Sequence, residues 1–400
     1  MQIKKAFKFE LMPTGGHIRK MRQFCGCSRF VFNKALAYQN EQYEADKSFK
    51  FGYTKIANLL PEWKAELPWL KDCHSQVLQQ SLKDLEAAFR HFFAKRADFP
   101  KFKKKGIKDS FRFPQGFKLE QGNNRIFLPK IGWVRYRNSQ QVIGAVKNVT
   151  VSQKCGKWYV SIQTEFEQEV LPPSGGEVGI DMGIARFATL SNGRYFEAKN
   201  SLRAAQQKLA KLQRQMSHKT KFSNNWKKVK TKVSKLHSHI ANARRNYLHK
   251  ISTEISKNHT IVYVEDLKVS NMSKSAKGNN EQYGRMVKQK SGLNRSILDQ
   301  SWFEFRRQLD YKLLWHGGYL IAVDPRNTSR TCPICGHISK ENRQSQTQFE
   351  CMECGFAANA DEVGAINILR AGRARLACEV SGAVRPPAAG THRSELAEHR

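Results

Sequence analysis

Along the first eleven residues apolar positions alternate with lysines (Ile3, Phe7 and Phe9 between Lys4, Lys5 and Lys8), a period-two pattern that predicts a strand. Met12-Pro13-Thr14-Gly15-Gly16 interrupts it. From about His17 to Asp46 the spacing turns helical, with Ile18, Met21, Phe24, Cys25, Phe30, Phe32, Leu36 and Tyr43 able to share faces. A short helix is expected from Lys55 to Leu60. A longer one is expected from about His74 to Lys95, striped by Val77, Leu78, Leu82, Leu85, Phe89 and Phe92. From Ser110 to Glu167 the period returns to two. Strands are predicted over 125–128, 133–136, 149–151 and 158–162, with turns at Gly122-Asn123-Asn124 and Cys155-Gly156-Lys157. This half predicts an antiparallel barrel of the oligonucleotide-binding kind, completed by the first strand, with a helical domain inserted over 13–98.

Leu171 to Gly176 reads as a linker. After it an apolar run from Val178 passes through Asp181 and continues by Ile184, Phe187, Ala188 and Leu190. Ser191-Asn192-Gly193 predicts a turn, and Arg194 to Glu197 a returning strand. Residues 201–250 predict two helices broken near Ser217-His218. Residues 259–267 are near-continuously apolar, as central strands are. Asn271 to Gly292 is polar, with Gly278 and Gly284, and is expected to be a lid-like loop. A helix over 297–315, a strand over 319–323 and a helix starting near Asn359 follow. Beyond Arg370 no periodicity remains, and a disordered tail over 373–400 is expected.

Charge narrows the function. Lys plus Arg number 69 against 34 Asp plus Glu, a formal net charge of +35. Such an excess calls for a polyanionic partner. No apolar run reaches the length of a spanning helix, so nucleic acid is favoured over membrane and a cytoplasmic location is expected. Two stretches concentrate the charge. Phe99 to Gly106 interleaves Lys101, Lys103, Lys104 and Lys105 with phenylalanines, the combination that binds phosphates and stacks on bases. Residues 201–250 hold fourteen Lys or Arg and no acidic residue, Lys227, Lys228, Lys230, Arg244 and Arg245 among them. A helical pair of one charge sign repels itself unless a counter-charge lies along it, so a nucleic-acid-lining arm is predicted.

Two motifs carry chemistry. Cys332-Pro-Ile-Cys335 and Cys351-Met-Glu-Cys354 are separated by residues 336–350, and each pair is followed by glycine. Four thiolates at this spacing predict one closed, structural zinc ribbon. The other five cysteines are scattered, which fits a reducing compartment rather than disulfides. The second motif is dispersed. Asp181 lies in an apolar strand, Glu265 ends a later one, and Asp361 opens a helix. Buried carboxylates are costly unless they meet a cation, and magnesium takes oxygen ligands. This is the order of acidic residues in a ribonuclease-H-like nuclease, where three carboxylates hold two magnesium ions about 4 Å apart. Periodicity does not bring the three together. Asp266, Asp324 and Glu362 are rivals, and Asp361 at a helix start could equally serve as a cap.

The set Gly179-Ile180-Asp181-Met182-Gly183, Val264-Glu265-Asp266-Leu267, Thr328 to Gly336, Cys351 to Gly355 and Asn359-Ala360-Asp361 resembles the TnpB proteins, transposon-encoded RNA-guided DNA nucleases. Ser28 to Asn33 and Phe111 to Gln115 extend the likeness, which runs from about residue 1 to 372. The resemblance implies an α+β multidomain chain. A wedge barrel would span 1–12 and 99–170, and a helical recognition domain 13–98. A RuvC nuclease domain would span 171–330 and 357–372, with a zinc ribbon over 331–356. It places the catalytic, magnesium-holding triad on Asp181, Glu265 and Asp361, all present. It implies an omega guide RNA, a double-stranded DNA target, and a protein that is monomeric in the complex. A short motif beside the target would be read near Tyr53, Ser75, Gln76, Gln79 and Gln115. Glutamine can bind adenine bidentately in the major groove. The alternatives are an RNA-guided binder that does not cut, and a transposase.

Overall fold

The computed structural model describes residues 1–169, 175–279 and 282–380, and the chain divides into two compact units after Glu169. In chain order the first unit contains β1 (Gln2–Met12), α1 (Gly15–Ala45), α2 (Tyr53–Ala57), α3 (Leu60–Glu66), α4 (Ser75–Phe93), β2 (Ser110–Phe113), β3 (Lys118–Glu120), β4 (Arg125–Leu128), β5 (Gly132–Tyr136), β6 (Ala145–Lys154) and β7 (Lys157–Glu167). The residues that stop β1 also start α1. Thr14 caps it, its hydroxyl accepting from the His17 amide while its own amide donates to His17 Nδ1.

The strands form one antiparallel sheet in the order β2-β6-β7-β1-β5-β4-β3. β1 runs along β7 from Gln2 to Leu11 and reaches β5 with Leu11 and Met12. The expected barrel does not close. β2 and β3 are the two edges of an open ladder, because the chain leaves β2 at Pro114, which has no amide to donate, and β3 is three residues long. The inner face and the helices share one core. Phe24 of α1 meets Phe111 at 5.4 Å and Phe113 at 6.2 Å between ring centroids, and Leu78, Leu82 and Leu85 of α4 are buried in the same cluster. The helical segment therefore folds with the sheet rather than around a core of its own.

The second unit contains β8 (Gly176–Asp181), β9 (Arg186–Leu190), β10 (Tyr195–Glu197), α5 (Ser201–Ser217), α6 (Asn224–Asn258), β11 (His259–Glu265), α7 (Val269–Met272), α8 (Val287–Gln300), α9 (Trp302–Trp315), β12 (Tyr319–Val323), β13 (Gln348–Glu350), β14 (Ala357–Asn359) and α10 (Ala360–Val380). Its main sheet is ordered β10-β9-β8-β11-β12, with β8, β11 and β12 parallel. A parallel sheet needs both faces covered. Leu248, Ile251 and Ile255 of α6 and Phe305, Leu309 and Leu313 of α9 cluster with Val262 and Val264 of β11. Ile368 of α10 clusters with Tyr263 and Val323 on the other side.

Four expectations change here. The apolar run from Val178 to Leu190 is two antiparallel strands, because Gly183 folds the chain back and its amide donates to Phe187. The lid-like stretch is helical from Val287 onward, where Leu293 and Ile297 keep a helical spacing. The helix expected over 297–315 is split at Ser301, whose φ is +58°. The tail expected to be disordered is helical through Val380. Its alanine-rich turns favour helix, Arg373 donates to Glu177 at 2.6 Å, and Arg375 donates to the Ala322 carbonyl at 2.6 Å. Residues 381–400 and most of the linker, 170–174, lie outside the described residues. Among the described residues no helix is long and apolar enough to cross a membrane.

Candidate active site and nucleic-acid interface

β8 and β11 are adjacent parallel strands, paired at Ile180 and Val264. Asp181 and Glu265 are the next residue of each, so they stand side by side at the carboxyl edge of the sheet, where open α/β sheets place their ligands. α10 brings the third carboxylate. It lies against β8 because position 179 is glycine. A Cβ there would meet the Ala365 carbonyl and sit 2.6 Å from the Leu369 amide. Gly364 permits the same closeness at the edge, since a Cβ on it would be 3.1 Å from Asp181 Oδ2. Asp361 lies one turn earlier on that helix. It is not the cap. Asn359 Oδ1 accepts from the amides of Asp361 and Glu362, leaving the Asp361 carboxylate for other contacts.

The electrostatics record the convergence. Burial, reinforced by the charges of Glu265 and Asp361, pushes the Asp181 carboxyl up to about 7, against opposing pulls from Arg343 and a backbone amide. Burial also raises Glu265, while the Thr328 hydroxyl, donating at 2.6 Å, and Arg343 hold it down. Among the described residues Arg343 is the cation whose charge reaches all three carboxylates, its guanidinium 3.9 Å from Asp361. Sequence reasoning missed it, because it lies in the polar spacer between the cysteine pairs, far along the chain from Asp181 and Glu265. Asn342 is fully buried. Its amide nitrogen donates to the Arg330 and His337 carbonyls, and its Oδ1 accepts from Met352. That network fixes the backbone next to Arg343.

The rivals point elsewhere. Asp266 pairs with Arg306 at 2.6 Å on the exposed side, as alternation along the strand requires. Asp324 accepts from the Arg326 amide in its own turn. Glu362 lies near Gly193, where a Cβ would come 3.3 Å from its carboxylate.

The cysteines do gather. Cys332 and Cys354 sulfurs are 3.6 Å apart and those of Cys335 and Cys351 3.5 Å, and all four lie within 4.8 Å of one another. A disulfide would need about 2.05 Å. Sulfurs on a tetrahedral zinc are about 3.8 Å apart when Zn–S is about 2.3 Å. The quartet fits a structural zinc. Among the described residues it is the group with ligand atoms that close, and the three carboxylates form a looser set.

The remaining candidates separate. Ser75, Gln76 and Gln79 occupy the first turns of α4, and Ser75 accepts from Lys64 at 2.8 Å. Tyr53 opens α2, with Lys83 of α4 5.2 Å over its ring. Gln115 is exposed on the turn after β2. Gln76 Oε1 is buried without a hydrogen-bond partner, as is His74 Nδ1 beside it. In the basic run, Lys104 and Lys105 are exposed and Lys101 pairs with Asp98. Lys103 differs. Its ammonium sits 3.8 Å over the Phe32 ring, its backbone pairs twice with Asn33, and burial lowers its pKa. On α6, Lys227, Lys228, Lys230 and Arg245 are exposed, whereas Arg244 is tied to Asp299 and donates to Ser301 at 3.3 Å.

Residues 146–276 match the OrfB_IS605 family, described as a probable transposase. Residues 302–368 match the Cas12f1-like TNB domain, and residues 1–48, folded here as β1 and α1, match the OrfB_IS605 helix-turn-helix domain. The chain is 61% identical over 381 residues to the putative RNA-guided DNA endonuclease InsQ of Escherichia coli (strain K12), covering 94% of each. It is 33% identical to a putative RNA-guided DNA endonuclease of Streptomyces pristinaespiralis, covering 94% of this chain and 91% of that one. Its fold is similar to the protein in a solved Cas12f1–sgRNA–target DNA complex, with a TM-score of 0.54 at 12% identity over 92% of this chain and 98% of that one. This chain belongs to the TnpB family, the OrfB_IS605 proteins.

Proposed function

We propose that this protein is an RNA-guided, metal-dependent endonuclease that cuts double-stranded DNA next to a short motif. The reading rests above all on one observation: Asp181 and Glu265 end adjacent parallel strands, and α10, packed against Gly179 and Asp181, brings Asp361 from a distant segment near enough for its charge to reinforce the burial that raises the Asp181 carboxyl. Perturbed acidic groups gathered at a sheet edge mark functional sites.

The donor chemistry fits magnesium, since Asp181, Glu265 and Asp361 offer hard oxygens. Bound there in the two-ion arrangement of RuvC nucleases, the metal would supply water activation and neutralisation of charge at the phosphate. The chain's own residues do the rest. Thr328 fixes the orientation of the Glu265 carboxylate by its hydrogen bond. Arg343 balances part of the negative charge and presents donors to a phosphate oxygen. The exposed lysines of α5 and α6 track a phosphate backbone without reading its sequence.

Sequence would be read by pairing between a guide RNA and the target strand, with the protein holding the backbone of the heteroduplex. The target-adjacent motif would be read by Tyr53, Ser75, Gln76, Gln79 and Gln115. The first unit would supply the wedge and recognition parts, and the second the nuclease part with its ribbon.

Plasmid cleavage by the purified full chain with its co-purified RNA tests this. Guided, magnesium-dependent linearisation is expected, and Asp181→Ala should abolish it while RNA-dependent DNA binding persists. Binding without cleavage by the unaltered chain would leave the repressor-like reading. Joining of transposon ends without a guide would support the transposase reading, which the family description favours.

A further inference from the structure

The tip between α5 and α6 carries a feature that the nuclease reading leaves unused. Phe222 has a φ of +70°, the left-handed region that suits glycine and is an outlier for a bulky aromatic. Such strain persists only where surrounding structure imposes it, and it concentrates at binding and switch sites. Here the strain is not offset by burial, because the Phe222 side chain is 65% exposed.

The tip is nevertheless well built. The Ser223 amide donates to Thr220 at 3.1 Å, and its hydroxyl caps α6 by accepting from the Trp226 amide at 3.1 Å. The Phe222 ring meets Trp226 at 5.5 Å and an interplanar angle of 60°. Lys221 stands 5.4 Å over the phenylalanine ring and Lys230 4.9 Å over the indole. An exposed Phe222 ring and the half-buried Trp226 indole it meets, each beside a lysine, thus sit at the end of a hairpin region without a single acidic residue over 201–250.

We propose that Phe222 and Trp226 form a stacking platform for an unpaired or terminal base of the nucleic acid held along this hairpin. The occupant is a polynucleotide because the surrounding charge is wholly positive and aromatic faces accept any base. Lys221 and Lys230 would hold the flanking phosphates. This assignment rests on the nucleic-acid reading of the hairpin but not on cleavage.

The competing role is local. An apolar residue just before a helix cap can staple the first turn. Side-chain swaps at position 222 separate the two. Phe222→Leu keeps an apolar body and a similar backbone demand but lacks a π face, whereas Phe222→Tyr keeps the face. Phe222→Gly removes the ring and the strain together.

The experiment uses the full chain with its co-purified RNA species, transcribed with 5-iodouridine, and a target strand carrying 5-iododeoxyuridine. Photo-crosslinks mapped by mass spectrometry are expected at Phe222 or Trp226. A link to the RNA identifies the guide as the source of the base, and a link to DNA identifies the target. Leu and Gly variants should lose roughly 5- to 100-fold in affinity for that strand, as removal of a stacking ring does, and Tyr should retain it. Phe222→Gly should melt no lower than the unaltered chain.

Unchanged affinity in the Leu variant, or crosslinks that avoid both rings, would overturn the platform. A fall in melting temperature for Phe222→Gly with unchanged affinity would assign the ring to the staple. If guided cleavage fails but the crosslinks appear, the nuclease reading falls and the platform stands.

Discussion

The guanidinium of Arg343 stands 3.9 Å from the carboxylate of Asp361, and the loop that carries it there is the spacer between the two cysteine pairs whose four thiols gather within 4.8 Å. The cysteine quartet, which fits a structural zinc, and a set of acidic side chains are thereby coupled through one backbone segment, anchored by the buried amide of Asn342.

If Arg343 balances charge at the phosphate, Arg343→Ala should slow single-turnover cleavage by roughly 10²- to 10³-fold, the usual cost of removing one donor from a site of developing charge. Guide binding should be unchanged. Arg343→Lys should recover only part of the rate, because lysine lacks the planar fork. A rate equal to that of the unaltered protein would remove Arg343 from the chemistry.

Zinc removal should act through the same segment. Cys351→Ser should release the metal, measured by a colorimetric zinc assay, and lower the melting temperature, since a structural zinc contributes folding free energy directly. Cleavage should fall along with it, as Arg343 loses its anchored loop. A variant that kept its metal and its rate would show the quartet to be dispensable.

The raised Asp181 carboxyl gives a signed dependence on pH. Its folded value of about 7 lies above the ordinary 3.8, so the folded protein holds this proton more tightly than the unfolded chain does. The stability it contributes is complete below about pH 4 and is lost as pH rises to about 7. In chelator, the melting temperature of the unaltered protein should therefore fall relative to Asp181→Asn across that window, by an amount equivalent to at most roughly 4 kcal/mol. Magnesium at pH 8 should restore the unaltered protein and leave the asparagine variant unmoved. Parallel curves for the two proteins in chelator would contradict the burial of this carboxylate.

Gly179 tests the close packing that places Asp361. Gly179→Ala puts a methyl against the Ala365 carbonyl and the Leu369 amide, both of them backbone that cannot rotate away. Overpacking of this kind costs about 1–3 kcal/mol, and more when backbone must move. The variant should melt lower and cleave more slowly, with zinc content unchanged. An unaltered melting curve would mean that α10 is free to shift.

Periodicity located most elements within a few residues, and its errors have physical causes. The run from Val178 to Leu190 is mostly apolar because Val178, Ile180, Met182, Phe187, Ala188 and Leu190 of the hairpin are buried, so its hydropathy reads as one segment across the reversal at Gly183. The break at Ser301 is a backbone angle that composition does not reveal. The barrel was expected from alternation, which reports that strands have an inner and an outer face. It carries no information on whether two short edge strands meet, and β2 and β3 do not.

By itself the sequence determined the chemistry available to this protein. It set four thiols at zinc-ribbon spacing, carboxylates within or beside apolar strands, and an arm of one charge sign, because ligand spacing and amphipathic period are local properties of a chain. The tertiary structure alone decided which acidic residues share a sheet edge and that Arg343 joins them. It also decided that Asp266 faces away, that Lys103 and Arg244 are engaged within the fold, and that an exposed Phe222 meets a half-buried Trp226 at the tip of a helical hairpin. Those outcomes depend on strand register, on how closely a helix can approach where no Cβ intervenes, and on the direction each side chain leaves its backbone. They arise only when segments distant in the chain are packed against one another.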